Sequence, residues 1–227
     1  MKMTAMALAV LAAALSPLAA GAPQAGEGRL AQLYAPRPPA GSAFVRVVNP
    51  GGSALAVGVA NGAEQRIGPA MRATRYAIVE GGKPFNVRVA GGVHAQPPVA
   101  AGSFTTLVLD PTSPQRPPVA LDDGGGSSDA LKAEIRFYNL AASCPQGRLA
   151  MAADGPVVFA SVAAGKSSAR AINPVKARLV AGCGGKDSAA FELPALQPGD
   201  HYSLFLTGSV GAPALQGQLS GTDAVGR

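Results

Sequence analysis

The chain has no tryptophan, and aromatic residues make up only 5% of it. Without a stacking set, and with its basic residues scattered, it does not read as a nucleic-acid binder. Charged residues are sparse as well, at 14%, against 48% hydrophobic residues, which excludes a disordered chain. There are two histidines, His94 and His201, and neither has Cys, Asp or Glu at metal-ligand spacing. No CxxC pair and no GxSxG elbow occurs, so the sequence offers no catalytic residue, no metal site and no cofactor motif. Beyond the first twenty or so residues, no apolar run is long enough to cross a bilayer.

What is abundant is glycine and proline, 29 and 20 residues. They cut the chain into many short apolar runs, the pattern of a sandwich and not of a helical bundle. Residues 43–49 (AFVRVVN) set the theme, with Val45 and Val47 alternating with Arg46. That period of two predicts a strand with one buried and one wet face. Ninety positions later, residues 133–139 (AEIRFYN) repeat it, with Ile135 and Phe137 flanking Arg136. Residues 87–89 align with 177–179 at the same offset, and 106–109 with 203–206 at an offset of ninety-seven. Three matches in one order imply a duplicated unit.

The fold class is therefore all-β: two small β-sandwich domains from an internal duplication, joined by a short flexible linker. The domains are expected at 30–121 and 129–220, with the Gly/Ser/Asp linker DDGGGSS at 122–128. Strands are predicted near 43–48, 54–60, 74–80, 84–90 and 103–110, more weakly at 64–68 and 119–121. In the second copy they fall near 132–139, 147–153, 156–162, 168–173, 176–181, 190–193, 201–207 and 214–219. Asn61-Gly62 is expected as a hairpin turn. Residues 221–227 are expected to be mobile.

Residues 1–22 read as a secretory signal peptide. Lys2 precedes an apolar core at 5–15, followed by Ala19, Ala20 and Ala22. The competing reading, a membrane anchor, needs about 20 apolar residues. An exported chain meets an oxidising compartment, so Cys144 and Cys183, each just past a core strand, are expected to form a disulfide. A redox pair is the alternative, without CxxC spacing to support it.

Basic residues outnumber acidic ones by 8 to 3 over residues 30–121 and by 8 to 6 over 129–220. The first copy is the more cationic, which suits an acidic partner. Its densest cluster, Arg66, Arg72, Arg75 and Tyr76, is the candidate anion-binding group; a solvated strand face is the plainer reading. Arg46 and Arg136 recur between buried positions and are expected to point outward, their stems lying on the sheet.

PPAGSAFVRVVN (38–49), the two-copy layout, the pair Cys144 and Cys183, INPVKARLVAGCGG (172–185) and LPALQPGDHYSLFLTG (193–208) together resemble the AlgF family of periplasmic alginate O-acetylation proteins. The resemblance implies two β-sandwich domains, a periplasmic location in a Gram-negative bacterium, and work beside acetyl-transferring partners of the AlgI, AlgJ and AlgX type. It supplies no catalytic residue. Three functions follow: a non-catalytic adaptor that bridges these partners, an acetyltransferase component that itself carries or transfers acetyl groups, or an alginate-binding module using the basic first domain.

Overall fold

Ala43, Val45 and Val47 point to one side of β1 (Ser42–Val48) and are buried. Around that face the first half of the chain builds two four-stranded sheets. One has the order β4-β1-β7-β8, with β4 (Ala77–Glu80), β7 (Phe104–Val108) and β8 (Val119–Asp122). The other has the order β3-β2-β5-β6, with β2 (Leu55–Val59), β3 (Gln65–Ile67), β5 (Phe85–Val89) and β6 (Gly92–Gln96). Val57, Val59, Ile67, Val87, Val89, Leu107 and Leu109 fill the space between them. Burying each such side chain contributes roughly 1.5–3 kcal/mol.

The second half repeats the plan. β9 (Ala133–Asn139) is central to the sheet β12-β9-β16-β17, with β12 (Lys166–Ile172), β16 (His201–Ser209) and β17 (Ala212–Leu219). The facing sheet runs β11-β10-β13-β14, with β15 also paired to β13. It comprises β10 (Gln146–Met151), β11 (Val157–Ala163), β13 (Ala177–Cys183), β14 (Lys186–Asp187) and β15 (Phe191–Leu193). Its core centres on Ile135, Phe137, Leu149, Leu179, Leu204 and Leu206. The duplication extends to register: β1 pairs with β7 in parallel, Arg46 opposite Thr106, and β9 pairs with β16 in parallel, Arg136 opposite Ser203. The computed structural model describes residues 37–124, 129 and 131–224. The expected signal peptide and linker residues 125–128 lie outside these.

Asn49 and Asn139 end the two equivalent strands and do the same work. The Asn49 amide donates to the Ser53 carbonyl at 2.8 Å. The Asn139 amide donates to the carbonyls of Cys144 and Val162, both at 2.9 Å. Each ties the first loop of its sandwich to the core, where an unpaired backbone carbonyl would be costly. In the second copy this loop carries Cys144, which is bonded to Cys183 at the end of β13.

Several local expectations change. β6 and β14 were not foreseen. Ala90 and Gly91 both take positive φ, 47° and 84°, and make a two-residue hairpin that returns the chain as β6. Gly184 and Gly185 do the same before β14. The turn after β2 centres on Ala60 and Asn61, not on Asn61 and Gly62. It is closed by the Gly62 amide donating to the Val59 carbonyl at 2.8 Å.

The larger correction concerns the faces expected to be wet. Every residue of β9 is buried, and so are Arg46 and Val48 on the outward side of β1. A third apolar cluster, Val48, Ala73, Leu121, Tyr138, Leu140 and Phe205, draws on both halves. The sheet containing β1 and the sheet containing β9 are packed against each other, and the described residues fall in one compact unit.

Candidate functional site

The seam between these two sheets is where the chain concentrates buried charge. β1 and β7 bring Arg46 and Thr106 side by side, and β9 and β16 bring up Tyr138 and Ser203 from the other half. Arg46 is 1% exposed. Its Nε donates to Thr106 Oγ1 at 2.8 Å, its Nη1 to Ser220 Oγ at 3.1 Å, and its Nη2 to Tyr138 Oη at 2.7 Å and Ser203 Oγ at 2.9 Å. Its guanidinium carbon lies 4.6 Å from the Tyr76 ring centroid, 5.3 Å from that of Tyr138 and 5.7 Å from that of Phe205. Aromatic faces attract a cation strongly once water is excluded.

The counter-charge is Asp123, 6% exposed. Tyr76 Oη donates to its Oδ2 at 2.7 Å and Tyr138 Oη to its Oδ1 at 2.6 Å. Thr106 Oγ1 also donates to Oδ2. Thr106 and Tyr138 thus accept from the cation and donate to the anion, so both charges are satisfied through hydroxyl groups. Burial opposes the charge on Arg46, but Tyr138, Tyr76 and Asp123 outweigh it and hold its pKa above the ordinary value. Burial pushes the Tyr138 phenol up to about 12 against the pull of Arg46, and raises Tyr76 further. Composition places Asp123 in a flexible linker, whereas in the structure it is buried as the anionic centre of the seam.

A second group of bonds sews residues 69–76 of the first sandwich to β17 and the segment after it. The Gln218 side chain bonds the Ala73 backbone at both ends, accepting from its amide at 2.9 Å and donating to its carbonyl at 3.0 Å. Tyr76 forms a parallel bridge with Thr222. The Tyr76 amide donates to the Gly221 carbonyl, and the Asp223 amide to the Tyr76 carbonyl, both at 2.8 Å. Residues 221–223, expected to be mobile, are anchored.

The four candidate anion-binding residues do not share one role. Tyr76 is buried in the seam. Arg72 donates to Gln216 and to the carbonyls of Asn49 and Gly51. Arg75 pairs with Asp223 at 3.4 Å. Arg66 is exposed on β3. Arg136, expected to point outward, is buried and reaches Glu134 Oε1 at 3.2 Å. His201 Nδ1 lies 3.6 Å from the same oxygen, at the edge of a cleft of about 710 Å³ between the sandwiches. His94 points into the first sandwich from β6, beside Gln96. Among the described residues, no group of three or more His, Cys, Asp or Glu is placed to hold a metal ion. No helix there is long and apolar enough to cross a membrane.

Asp123, Tyr138, Thr106 and Ser203 were not singled out from sequence. One signal was available: at the two repeat offsets, each arginine falls opposite a hydroxyl residue, Arg46 with Thr106 and Arg136 with Ser203.

The fold and seam define an all-β protein of two duplicated sandwiches closed on a shared, charged interface. The family model described as "Alginate O-acetyl transferase AlgF" matches residues 12–203. The alginate biosynthesis protein AlgF of Pseudomonas putida is 31% identical over 191 residues, covering 82% of each chain. That of Pseudomonas aeruginosa is 34% identical over 209 residues, covering 88% of each. A solved structure of the C-terminal domain of AlgF from P. aeruginosa is 30% identical, with a TM-score of 0.35, covering 39% of this chain and 98% of that one. The chain belongs to the AlgF family.

Proposed function

We propose that the chain is a non-catalytic adaptor for the O-acetylation of alginate, exported to the periplasm and bridging acetyl-handling proteins of the AlgI, AlgJ and AlgX type. The observation that carries this reading is the seam itself. Its buried cation, anion and aromatic rings hold two sandwiches together while leaving the outer sheet of each free to meet a different protein. Fixing two binding faces on one body raises the effective concentration of one partner at the other. The polar groups nearest the cleft support the same reading, because they are committed to structure. Ser203 Oγ accepts from Arg46 and shares a hydrogen with Ser220 Oγ at 2.9 Å. Glu134 is bonded to Arg136.

The test has two arms. The full chain should co-purify with the acetylation proteins when expressed together, and the purified protein should leave acyl esters intact. Ester hydrolysis abolished by Ser203→Ala or His201→Ala would overturn the adaptor reading in favour of an acetyl-carrying component. Salt-sensitive binding of oligouronate without binding of any partner protein would favour a polysaccharide-binding module.

A further inference from the structure

The outward faces of the two outer sheets carry corresponding rows of three residues: each has one arginine and one glycine, in exchanged places, and the third residue differs in charge. In the first sandwich the row runs across β2, β5 and β6: Gly58 opposite Arg88, and Arg88 opposite Val93. In the second it runs across β10, β13 and β14: Arg148 opposite Gly182, and Gly182 opposite Asp187. Arg88 and Gly182 hold the same place, each one pair back from its two-residue hairpin. Repeat spacing alone had matched Arg88 with Arg178. In both rows the guanidinium lies over the glycine. A Cβ on Gly58 would stand 2.4 Å from Arg88 Nη2, and one on Gly182 3.2 Å from Arg148 Nε.

The third residue decides the charge. In the second sandwich it is Asp187, whose two oxygens accept from Arg148 Nη2 at 2.9 and 3.0 Å. The other arginine of that face, Arg178, pairs with Glu192 at 2.7 Å. In the first sandwich the third residue is Val93, 62% exposed. Among the described residues Arg88 donates only to the carbonyls of Ala60 and Gly62, which carry no net charge. Arg66 stands opposite Ala56 on the same face, exposed and, among the described residues, without an acidic partner. None of the four strands of this sheet contains Asp or Glu; Glu64 precedes β3 and makes no ion pair among the described residues.

We propose that this face of the first sandwich, centred on Arg88, with exposed Val93 beside it on β6 and Arg66 two strands away on β3, docks an acidic surface of a partner protein. The inference rests on the adaptor reading and assigns one partner to one face. The chemistry favours a protein over a polyuronate chain. Exposed Val93 beside Arg88 sets apolar contact next to a cation, a combination that a protein interface uses and that a polyuronate, polar along its length, would leave unmatched at Val93. The corresponding face of the second sandwich has its arginines already neutralised.

The experiment uses the full chain, immobilised and titrated separately with purified AlgJ, purified AlgX and an oligouronate, at low and high salt. Val93→Asp copies the carboxylate of the second sandwich onto the first, and Arg66→Glu reverses the remaining cation. Together they should weaken binding of one of the two proteins at least about tenfold and reduce its salt dependence, with the urea midpoint unchanged. Asn86→Asp, exposed on the same face, should act in the same direction and gives a reading if the double variant is destabilised. If the wild-type chain binds neither protein, the adaptor reading falls and this docking face with it. If the wild type binds and the variants bind equally well, the docking face alone is overturned. Loss confined to the oligouronate would also overturn it, marking the face as a polymer site.

Discussion

Arg46 and Tyr138 lie 92 residues apart in sequence and 2.7 Å apart across the seam. The phenol oxygen that accepts from the arginine passes its own hydrogen to Asp123. A cation from the first repeat is thereby tied, through a residue of the second, to an anion from the stretch between them.

Removing either charge should therefore cost more than its own bonds. Arg46→Met would leave the Asp123 carboxylate buried beside two phenols with no cation within the network. Arg46→Met and Asp123→Asn should each destabilise the chain by ~3–5 kcal/mol. The double variant should lose less than the sum of the two, because each single change strands the other charge. Urea denaturation of the four proteins measures the coupling; additive losses would mean that the two groups act independently.

The disulfide predicts a thiol count and a difference in stability. Cys144 and Cys183 close a loop with a sequence separation of 39 inside the second core. The native protein should titrate no free thiol. Replacing both cysteines with serine should lower stability by about 3–4 kcal/mol. Thermal melts with and without reductant should differ for the wild type and coincide for the double variant.

The phenols give a pH dependence of defined sign. A raised pKa means that the folded chain holds the proton where the unfolded chain has released it. The stabilisation from Tyr138 is thus complete below pH 10.0 and is lost as pH rises toward about 12. Tyr76 shifts in the same direction, again chiefly through burial. Tyrosinate absorbance should appear late in the folded protein and coincide with unfolding. In Arg46→Met the Tyr138 phenol loses a group that favours its ionisation, so any tyrosinate that forms before unfolding should appear at still higher pH.

Ending the chain after Ser220 should loosen the first sandwich and not the second. Such a truncation removes the Gly221 carbonyl, the Thr222 bridge and the Asp223 partner of Arg75. The loss should be roughly 1–3 kcal/mol, a few exposed or half-buried hydrogen bonds. Hydrogen exchange should quicken at the Tyr76 amide while amides of β13 stay protected.

Much of the architecture was legible because aliphatic alternation at residues 43–49 and 133–139 has only one simple reading. Asn49 and Asn139 recur at the same offset at the ends of those runs, and the structure gives them one shared role, tying a loop to the core. The seam was not legible. Alternation says which side of a strand faces its own sandwich, but a polar outer side looks the same whether it meets water or another sheet. Arg46 can be buried only because hydroxyls, rings and a carboxylate arrive from positions as distant as Ser220. Asp123 was hidden for another reason: it stands in a run of acidic, glycine and serine residues that by composition is a linker. β6 and β14 escaped notice because they are short, glycine-flanked or polar, and their existence depends on hairpins with positive φ that Ala90 does not advertise.

The bridge between Tyr76 and Thr222 has a bearing on how the molecule comes into being. One edge of the first half is stitched by groups as much as 147 positions downstream. During synthesis that half can collapse around its valines early, yet its margin stays open until the later segment has emerged and swung back. The second half is then more than an attached copy: its trailing segment finishes the first.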